Sequence, residues 1–378
     1  MKVGEIKGIE INLHASVLII VGLVGYYAAS LYFSLTGVFN IVDLIVVGVI
    51  NGLIILGSII AHELMHSILS LRDGLGVSKI DLYMFGGVSN IEEEPRTPKS
   101  EMRISIVGPG ISILIGVIFL AFYYIPLIVF ELSFPAVLGI TLWYSGLTNL
   151  VLGFFNLIPA FPMDGGRVLR AYLWKRRDNL LSATETASNI GYYFGWAMVG
   201  YGLIELIFLP GFFNGIWLII LGFFLSNSSK QALNQTTREY KLSKVLAKEV
   251  QNIPSVEIPH NTTASEAIRD YFMKHRTPFF PIVKDKEIIG IVSINDLKRV
   301  PLERRSEIIM EDIMGNISKF PSVDEDETVK EAYKKLEKQE GTPKFVVVKK
   351  NGDISGFIGP NEIQSTLRLS ELLIGEKI

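Results

Sequence analysis

The sequence predicts a multi-pass α-helical membrane protein with six transmembrane helices, followed by a C-terminal α/β region. Hydrophobic residues make up 49% of the 378 positions, and the mean hydropathy is +0.37, which is too apolar for an ordinary soluble chain of this length. After about residue 230, charged residues become frequent and long apolar runs stop. We therefore expect one domain in lipid and a second in water.

Six segments are apolar over the length of about 20 residues that a bilayer requires. Lys and Arg fall in the N-terminal segment and in the connections after the second and fourth spans, and the other three connections contain none. Cytoplasmic loops carry the excess of these residues, so both termini are predicted to be cytoplasmic. The first span lacks a cleavage signal and is expected to be retained. The predicted spans are 15–35, 41–69, 104–130, 135–157, 183–208 and 211–229.

Charge and cysteine counts exclude several classes of function. The formal net charge is -2, so the composition does not point to nucleic acid as a partner. Cysteine is absent, which removes disulfides, thiolate metal ligands and a cysteine nucleophile together. Any catalytic metal must therefore be held by histidine and carboxylate side chains.

The stretch "GSIIAHELMHSILS" (57–70) places three ionisable side chains inside the second predicted span. His62 and His66 are four residues apart, so on a helix both imidazoles project from one face and can bind one metal ion, with Glu63 beside them. A pair of interfacial histidines is the alternative. It does not explain why three costly polar side chains lie in a span, where such groups are usually functional.

Zinc bound by two histidines needs a third protein ligand and keeps its fourth position for water. Asp164 in "FFNLIPAFPMDGGRVLRA" is the best candidate, because Pro159 and Pro162 must end the fourth helix on the same side of the membrane. Gly165 and Gly166 are expected to let the backbone approach the metal. Alternatively, Asp164 could only cap the next helix, but together with the two histidines metal ligation is favoured.

"HELMH", "FGGVSNIEEEP", "GPGIS" and "NLIPAFPMDGG" together resemble the site-2 protease family of intramembrane zinc metalloproteases. The resemblance implies that His62, His66 and Asp164 bind one zinc ion and that Glu63 is the catalytic acid and base. It also implies a metal site within the bilayer, reached by water from the cytoplasm. Arg72 follows His66 by six residues, about 9 Å along a helix, which fits that depth.

Two asparagines of the fourth span and one histidine have open roles. Asn149 and Asn156 lie two turns apart, and we predict that Asn149 donates a hydrogen bond to the oxyanion or to substrate backbone. Either amide could instead form an interhelical hydrogen bond. His14 opens the first span and has no partner at ligand spacing, so we expect it to be interfacial.

The segment "YMFGGVSNI" (83–91) is predicted to be a short strand that dips into the membrane. Its aromatic and β-branched residues favour a strand, whereas its Gly-Gly pair is also compatible with an ordinary loop turn. An exposed strand edge could pair with an unwound transmembrane substrate.

The C-terminal region contains a repeat, since "TPFFPIVKDKEIIGIVSINDL" (277–297) aligns with "TPKFVVVKKNGDISGFIGPNEI" (342–363). Each copy is predicted to run strand, helix, strand, strand, helix, and the pair resembles a CBS-domain pair. A protease core with such a tail is similar to the CBS-containing branch of the family in archaea and bacteria. The predicted domains are a transmembrane metalloprotease domain 1–229, a linker 230–241, and CBS repeats 242–300 and 301–378.

"GIVSINDL" matches the CBS pattern in which a hydroxyl and an acid three residues later contact phosphate and ribose, here Ser293 and Asp296. This resemblance implies an adenine nucleotide (AMP, ADP or ATP). The second copy carries Gly359 and Glu362 at these positions, so at most one site is expected to be intact. Alternatively, Asp296 only caps the following helix.

The combined interpretation is a zinc protease that cuts the transmembrane segment of another protein in the bilayer, with a cytoplasmic CBS pair that regulates access or forms a homodimer. A CBS-gated transporter or channel for metal ions is the rival hypothesis. It would be expected to show symmetry among its spans, which residues 1–229 lack. A catalytically idle scaffold would be expected to lack Glu63 or a ligand, and all are present.

Overall fold

The computed structural model describes residues 2–84, 86–91, 95–208, 212–252, 256–285, 287–339 and 343–374. It divides into two compact units, Met1–Asn234 and Gln235–Ile378. The residues predicted as a linker, 230–241, are helical. We describe each unit by itself.

The first unit is helical, and within the described residues five of its helices are long and apolar enough to cross a membrane: α1, α2, α3, α4 and α6. Five of the predicted spans are thereby confirmed as membrane-capable helices. The sixth segment is helical, as the beginning of α7, and its crossing of the bilayer stays a prediction; the connection 209–211 lies outside the described residues. The helices are α1 Val17–Thr36, α2 Ile41–Arg72, α3 Pro98–Val129, α4 Ala136–Asn156, α5 Asp164–Arg177, α6 Leu180–Phe208 and α7 Phe212–Leu242.

A four-stranded sheet accompanies these helices, in the order β1-β2-β3-β4. Its buried side chains, such as Ile9, Ile80 and Leu82, pack against the apolar residues Leu56 and Leu64 of α2. The outer strand β4 pairs antiparallel with β3 and forms one edge of the sheet. The strands are β1 Lys2–Ile6, β2 Ile9–Leu13, β3 Val77–Tyr83 and β4 Gly86–Ile91.

Most of the predicted segment 83–91 is therefore a strand, β4, with the turn before it. Gly86 has a φ of 125°, a conformation that glycine adopts without strain, so the Gly-Gly pair serves both the turn and the strand. Phe85, which belongs to the same prediction, lies outside the described residues. How deep this strand lies in a membrane stays a prediction.

The second unit contains two copies of the predicted order of strand, helix, strand, strand, helix. Its sheets have the orders β5-β6-β7-β8 and β11-β10-β9. The first copy comprises β5 Ile258–Pro259, α9 Ala264–Glu266, a π-helical stretch Ala267–Phe272, α10 Met273–His275, β6 Phe279–Lys284, β7 Glu287–Ser293 and α11 Ile294–Lys298. The second comprises β9 Ser322–Asp324, α13 Val329–Lys338, β10 Val346–Lys350, β11 Asp353–Ile358 and α14 Pro360–Ile374; the remaining elements are α8 Ala247–Val250, α12 Met310–Ile313, β8 Gly315–Asn316 and short 3-10 turns.

The two copies exchange their first segments. Leu242 and Ala247, which precede the first copy in sequence, are buried in the core of the second copy beside Val323. Conversely, Met310 is buried in the core of the first copy, and β8 extends the sheet of that copy. Burial of apolar side chains, not chain order, therefore assigns each of these segments to a core, and the predicted domain ranges 242–300 and 301–378 stay a prediction.

Candidate metal centre

The two histidines of the "HELMH" stretch lie on one face of α2, as the spacing predicts. Both imidazoles are buried. Their Nε2 atoms point at the same carboxylate oxygen, Asp164 Oδ2, which lies 3.1 Å from His62 Nε2 and 3.2 Å from His66 Nε2. The structure therefore brings together two helices that are about 100 residues apart in the chain.

Helix α3 orients both imidazoles through contacts with their Nδ1 atoms. His62 Nδ1 lies 2.9 Å from Ser112 Oγ, and His66 Nδ1 lies 2.6 Å from the backbone oxygen of Ile104. Because a carbonyl only accepts hydrogen bonds, His66 must carry a proton on Nδ1, which leaves the Nε2 lone pair of the neutral ring for a metal. These partners were missed from the sequence, since nothing local pairs α3 with α2.

Asp164 is the first residue of α5 and not its N-cap. The N-cap is Met163, and it has no side-chain capping hydrogen bond. The Asp164 carboxylate faces the imidazoles instead, so the alternative role as a helix cap is not the arrangement observed. The fourth helix ends at Asn156, before Pro159 and Pro162, as their lack of a backbone N–H predicts.

The paired glycines after Asp164 allow a close approach between two backbone segments, and the predicted approach to a metal stays a prediction. A Cβ on Gly165 would lie 2.2 Å from the backbone oxygen of Leu157, and a Cβ on Gly166 would lie 2.4 Å from the backbone nitrogen of Phe161. The glycines therefore let the loop 157–163 fold back onto the beginning of α5. They thereby position Asp164 through the backbone.

The three donor side chains fit a zinc ion. One ligand atom from each of His62, His66 and Asp164 lies within 4.8 Å of the others, and two imidazoles with one carboxylate are a hydrolytic ligand set. Gly108 of α3 faces the group: a Cβ there would lie 2.1 Å from His66 Nε2 and 2.7 Å from His62 Nε2. The absence of a side chain at Gly108 keeps the space beside both nitrogens clear.

Glu63 is held by the edge strand of the sheet. The backbone N–H of Gly87 donates to Glu63 Oε1 at 3.1 Å, joining β4 to α2. A Cβ on Gly87 would lie 2.4 Å from Glu63 Cγ, so the strand can approach the carboxylate only through a glycine. The sequence showed the Gly-Gly pair, but it did not show that Gly87 would contact Glu63.

The asparagines of α4 and His14 form local hydrogen bonds, away from the three donor side chains. Asn149 is fully buried and its Nδ2 donates to the Ser145 backbone oxygen at 2.9 Å. Asn156 Nδ2 donates in the same way to Leu152 at 2.9 Å. Both amides thus bond within their own helix. His14 is exposed, with Nδ1 3.0 Å from Ser16 Oγ.

The second unit holds a cavity of about 790 Å³ between its two copies. Ser293 lines the cavity, whereas its Oγ–H donates to Asp296 Oδ2 at 2.6 Å and its backbone N–H donates to the same oxygen at 2.9 Å. Ser293 is therefore the N-cap of α11, and Asp296, inside the helix at its third position, completes a capping box with it. Other lining residues are Thr277, Asn295, Lys344, Gly359 and Asn361.

Comparison with known proteins adds two family matches. The pattern of peptidase family M50 matches residues 51–132 and 126–200, and the CBS-domain pattern matches residues 247–303 and 310–368. A zinc metalloprotease of Methanocaldococcus jannaschii is 31% identical over 316 residues, which cover 83% of this chain and 84% of the relative.

The chain is also similar to a second metalloprotease and to a solved structure. Rip3 of Mycobacterium tuberculosis is 27% identical over 361 residues, which cover 95% of this chain and 91% of the relative. The solved structure of the site-2 protease from Methanocaldococcus jannaschii shows 30% identity and covers 62% of this chain and 94% of its own, with a TM-score of 0.42.

Proposed function

This chain belongs to peptidase family M50 and is a zinc metalloprotease, and on that premise we propose that it hydrolyses a peptide bond in the transmembrane segment of another protein. The observation that carries the proposal is the convergence of His62 Nε2, His66 Nε2 and Asp164 Oδ2 beside the glutamate of the same helix turn. The five membrane-capable helices place this chemistry in a membrane protein.

The proposed division of labour assigns each side chain one task. His62, His66 and Asp164 hold the zinc, which when bound supplies Lewis acidity toward water and toward the scissile carbonyl. Glu63 accepts the proton of the attacking water and returns it to the nitrogen of the leaving amine. The Gly87 N–H holds Glu63 Oε1, which fixes the carboxylate for that transfer.

The edge strand β4 is proposed to receive the substrate. A protease acts on extended peptide, so a transmembrane helix must unwind before cleavage, and a free strand edge can pair with the unwound segment. Because Gly87 of β4 contacts Glu63, a peptide added along this strand would pass next to the proposed base.

Water is proposed to enter from the cytoplasmic side, and both chain termini are proposed to lie on that side. The distribution of Lys and Arg supports this orientation.

The rival transporter hypothesis has less support. The chain belongs to a peptidase family, and Glu63 lies within a turn of both histidines, with its Oε1 accepting the hydrogen bond of the Gly87 amide. A pore lining would not need that single fixed geometry.

Glu63→Gln tests the proposed chemistry directly. The amide cannot accept the water proton, so the variant should keep one zinc per chain and lose cleavage. The full chain is purified in detergent, zinc is measured by elemental analysis, and cleavage of a model transmembrane protein is followed on gels. Glu205→Gln, which changes another glutamate of an apolar helix, is the matched control. Substantial turnover by the Glu63 variant alone would remove its role.

We further propose that an adenine nucleotide binds the cavity of the CBS unit. A volume of about 790 Å³ falls within the usual range of ligand pockets, roughly 300–1,000 Å³. Ser293 lines it and Lys344 supplies a cation that suits phosphate. Asp296 is proposed to contact ribose after exchanging its capping bond for the ligand.

Calorimetry of the full chain with AMP, ADP and ATP tests this site. Ser293→Ala and Asp296→Ala should weaken binding. Both changes also remove a helix cap, so Thr263→Ala, which removes the equivalent cap of α9, is the matched control. Absence of binding at millimolar nucleotide would leave the unit an assembly module.

We also propose a homodimer through the CBS domains. The exposed apolar side chains of Met273 and Leu302 support it. The mass of the detergent-solubilised chain tests this proposal.

A further inference from the structure

A buried ion pair joins the two helices that surround the metal centre. Arg170 Nε of α5 donates to Glu101 Oε1 of α3 at 2.5 Å, and the two side chains are only 4% and 2% exposed. Burying two charges carries a large desolvation cost that their attraction must first offset, so such a pair contributes little net stability over an apolar pair. Its presence therefore calls for a role other than stability.

The positions of the two residues relate them to the metal ligands. Glu101 lies one turn before Ile104, whose backbone oxygen accepts the hydrogen bond of His66, and α3 also carries Ser112, the partner of His62. Arg170 follows Asp164 by six residues on α5, about 9 Å along the helix. The ion pair thus links the helix that orients both imidazoles to the helix that carries the carboxylate.

Arg170 also contacts the loop before Asp164. Its guanidinium carbon lies 5.1 Å from the centre of the Phe161 ring. The backbone of Phe161 is held from the other side, because its oxygen accepts a hydrogen bond from Ser229 Oγ at 2.5 Å and its nitrogen donates to the Ala187 oxygen at 3.3 Å. Arg170 therefore restrains the chain on both sides of Asp164. It contacts Phe161 in the loop before Asp164, and it ties α5, which begins at Asp164, to Glu101 of α3.

We propose that Glu101 and Arg170 are positioning residues that fix α5 against α3, so that the Asp164 carboxylate meets the two oriented imidazoles. This inference rests on the proposed zinc ligands. Two guanidinium nitrogens of Arg170, Nε and Nη2, meet Glu101 Oε1. An ion pair suits the task because the planar guanidinium fixes direction as well as distance, whereas apolar side chains of similar volume can slide past each other.

The test separates positioning from simple stabilisation. The paired change Glu101→Met with Arg170→Met replaces both charges by apolar side chains, a replacement that often preserves stability. If the pair positions the ligands, zinc dissociation constants, measured by chelator competition on the full chain in detergent, should rise about 10- to 100-fold. The visible spectrum of the cobalt-loaded protein should also change, because it reports ligand geometry.

Two variants serve as comparisons. Arg170→Lys keeps the charge but loses the planar fork, so it should weaken zinc binding less than the paired change. Asp73→Asn with Arg103→Met removes an ion pair between α3 and the residue that follows α2, and it should leave zinc affinity and the cobalt spectrum unchanged. Thermal unfolding of every variant verifies folding, and Arg170→Lys becomes the deciding variant if the paired change does not fold.

The outcomes distinguish this inference from the function it rests on. Wild-type protein that binds no zinc, or that binds it equally after His66→Ala, would overturn the proposed metal site itself. Wild-type binding together with unchanged affinity and spectrum in the deciding variant would overturn only the positioning role. Weaker binding and an altered spectrum, with folding intact, would establish it.

Discussion

Gly108→Ala is the substitution whose effect can be worked out most directly from the structure. The added Cβ would lie 2.1 Å from His66 Nε2 and 2.7 Å from His62 Nε2, whereas ordinary contact begins at 3.4 Å. One imidazole, or α3 itself, must therefore move by about 1.3 Å, several times the ~0.2 Å within which metal–ligand distances are held.

Neither way of relieving this clash preserves the ligand geometry. If His66 moves, its Nε2 leaves the position opposite Asp164. If α3 moves instead, the Ile104 oxygen moves with it and the 2.6 Å hydrogen bond that orients His66 is lost. Loss of such an orienting partner alone typically costs ~10- to 100-fold in metal affinity, so we expect the zinc dissociation constant to rise by at least about 100-fold.

Chelator competition on the full chain in detergent measures this change, with elemental analysis for stoichiometry. Gly110→Ala is the matched control, since it lies on the same helix and its added Cβ would meet nothing within 4 Å. It should also favour the helix slightly. Retention of one zinc per chain with wild-type affinity in Gly108→Ala would show that the space beside Gly108 is not the metal position.

Three further predictions concern other parts of the protein. His66→Ala should lose most of the bound zinc by elemental analysis, because His66 faces Asp164, while His14→Ala, the control, should keep it, because the His14 imidazole pairs with Ser16. Asn149→Ala should retain zinc and lower the cleavage rate about 100-fold or more if its amide stabilises the oxyanion; the same loss in Asn156→Ala alone would move that role to the other asparagine. Saturating adenine nucleotide should change the cleavage rate modestly, in either direction, since allosteric couplings are typically about 1–3 kcal/mol; binding without any change in rate would refute the coupling and leave the nucleotide site standing.

The features that the sequence predicted well depend on local periodicity or on ligand chemistry. Two histidines four residues apart share a helix face whatever surrounds them, because the helix has 3.6 residues per turn. Asp164 could be named because zinc with two imidazoles needs a third donor and the prolines before it end α4. The alternation of strand and helix in the C-terminal copies likewise follows from apolar patterns within each segment.

What the tertiary structure alone decided depends on which surfaces meet across long stretches of chain. Ser112, the Ile104 oxygen and Gly108 acquire their roles only where α3 packs against α2, and Glu101 finds Arg170 only where α3 packs against α5. The exchange of first segments between the two C-terminal copies has the same origin. Leu242 is buried beside Val323 in the second copy. Nothing in the sequence near Leu242 shows that it packs there and not in the first copy, which follows it directly in the chain. Apolar burial is non-directional, so a sequence pattern shows that a side chain will be buried, and only the packed fold determines against which partner.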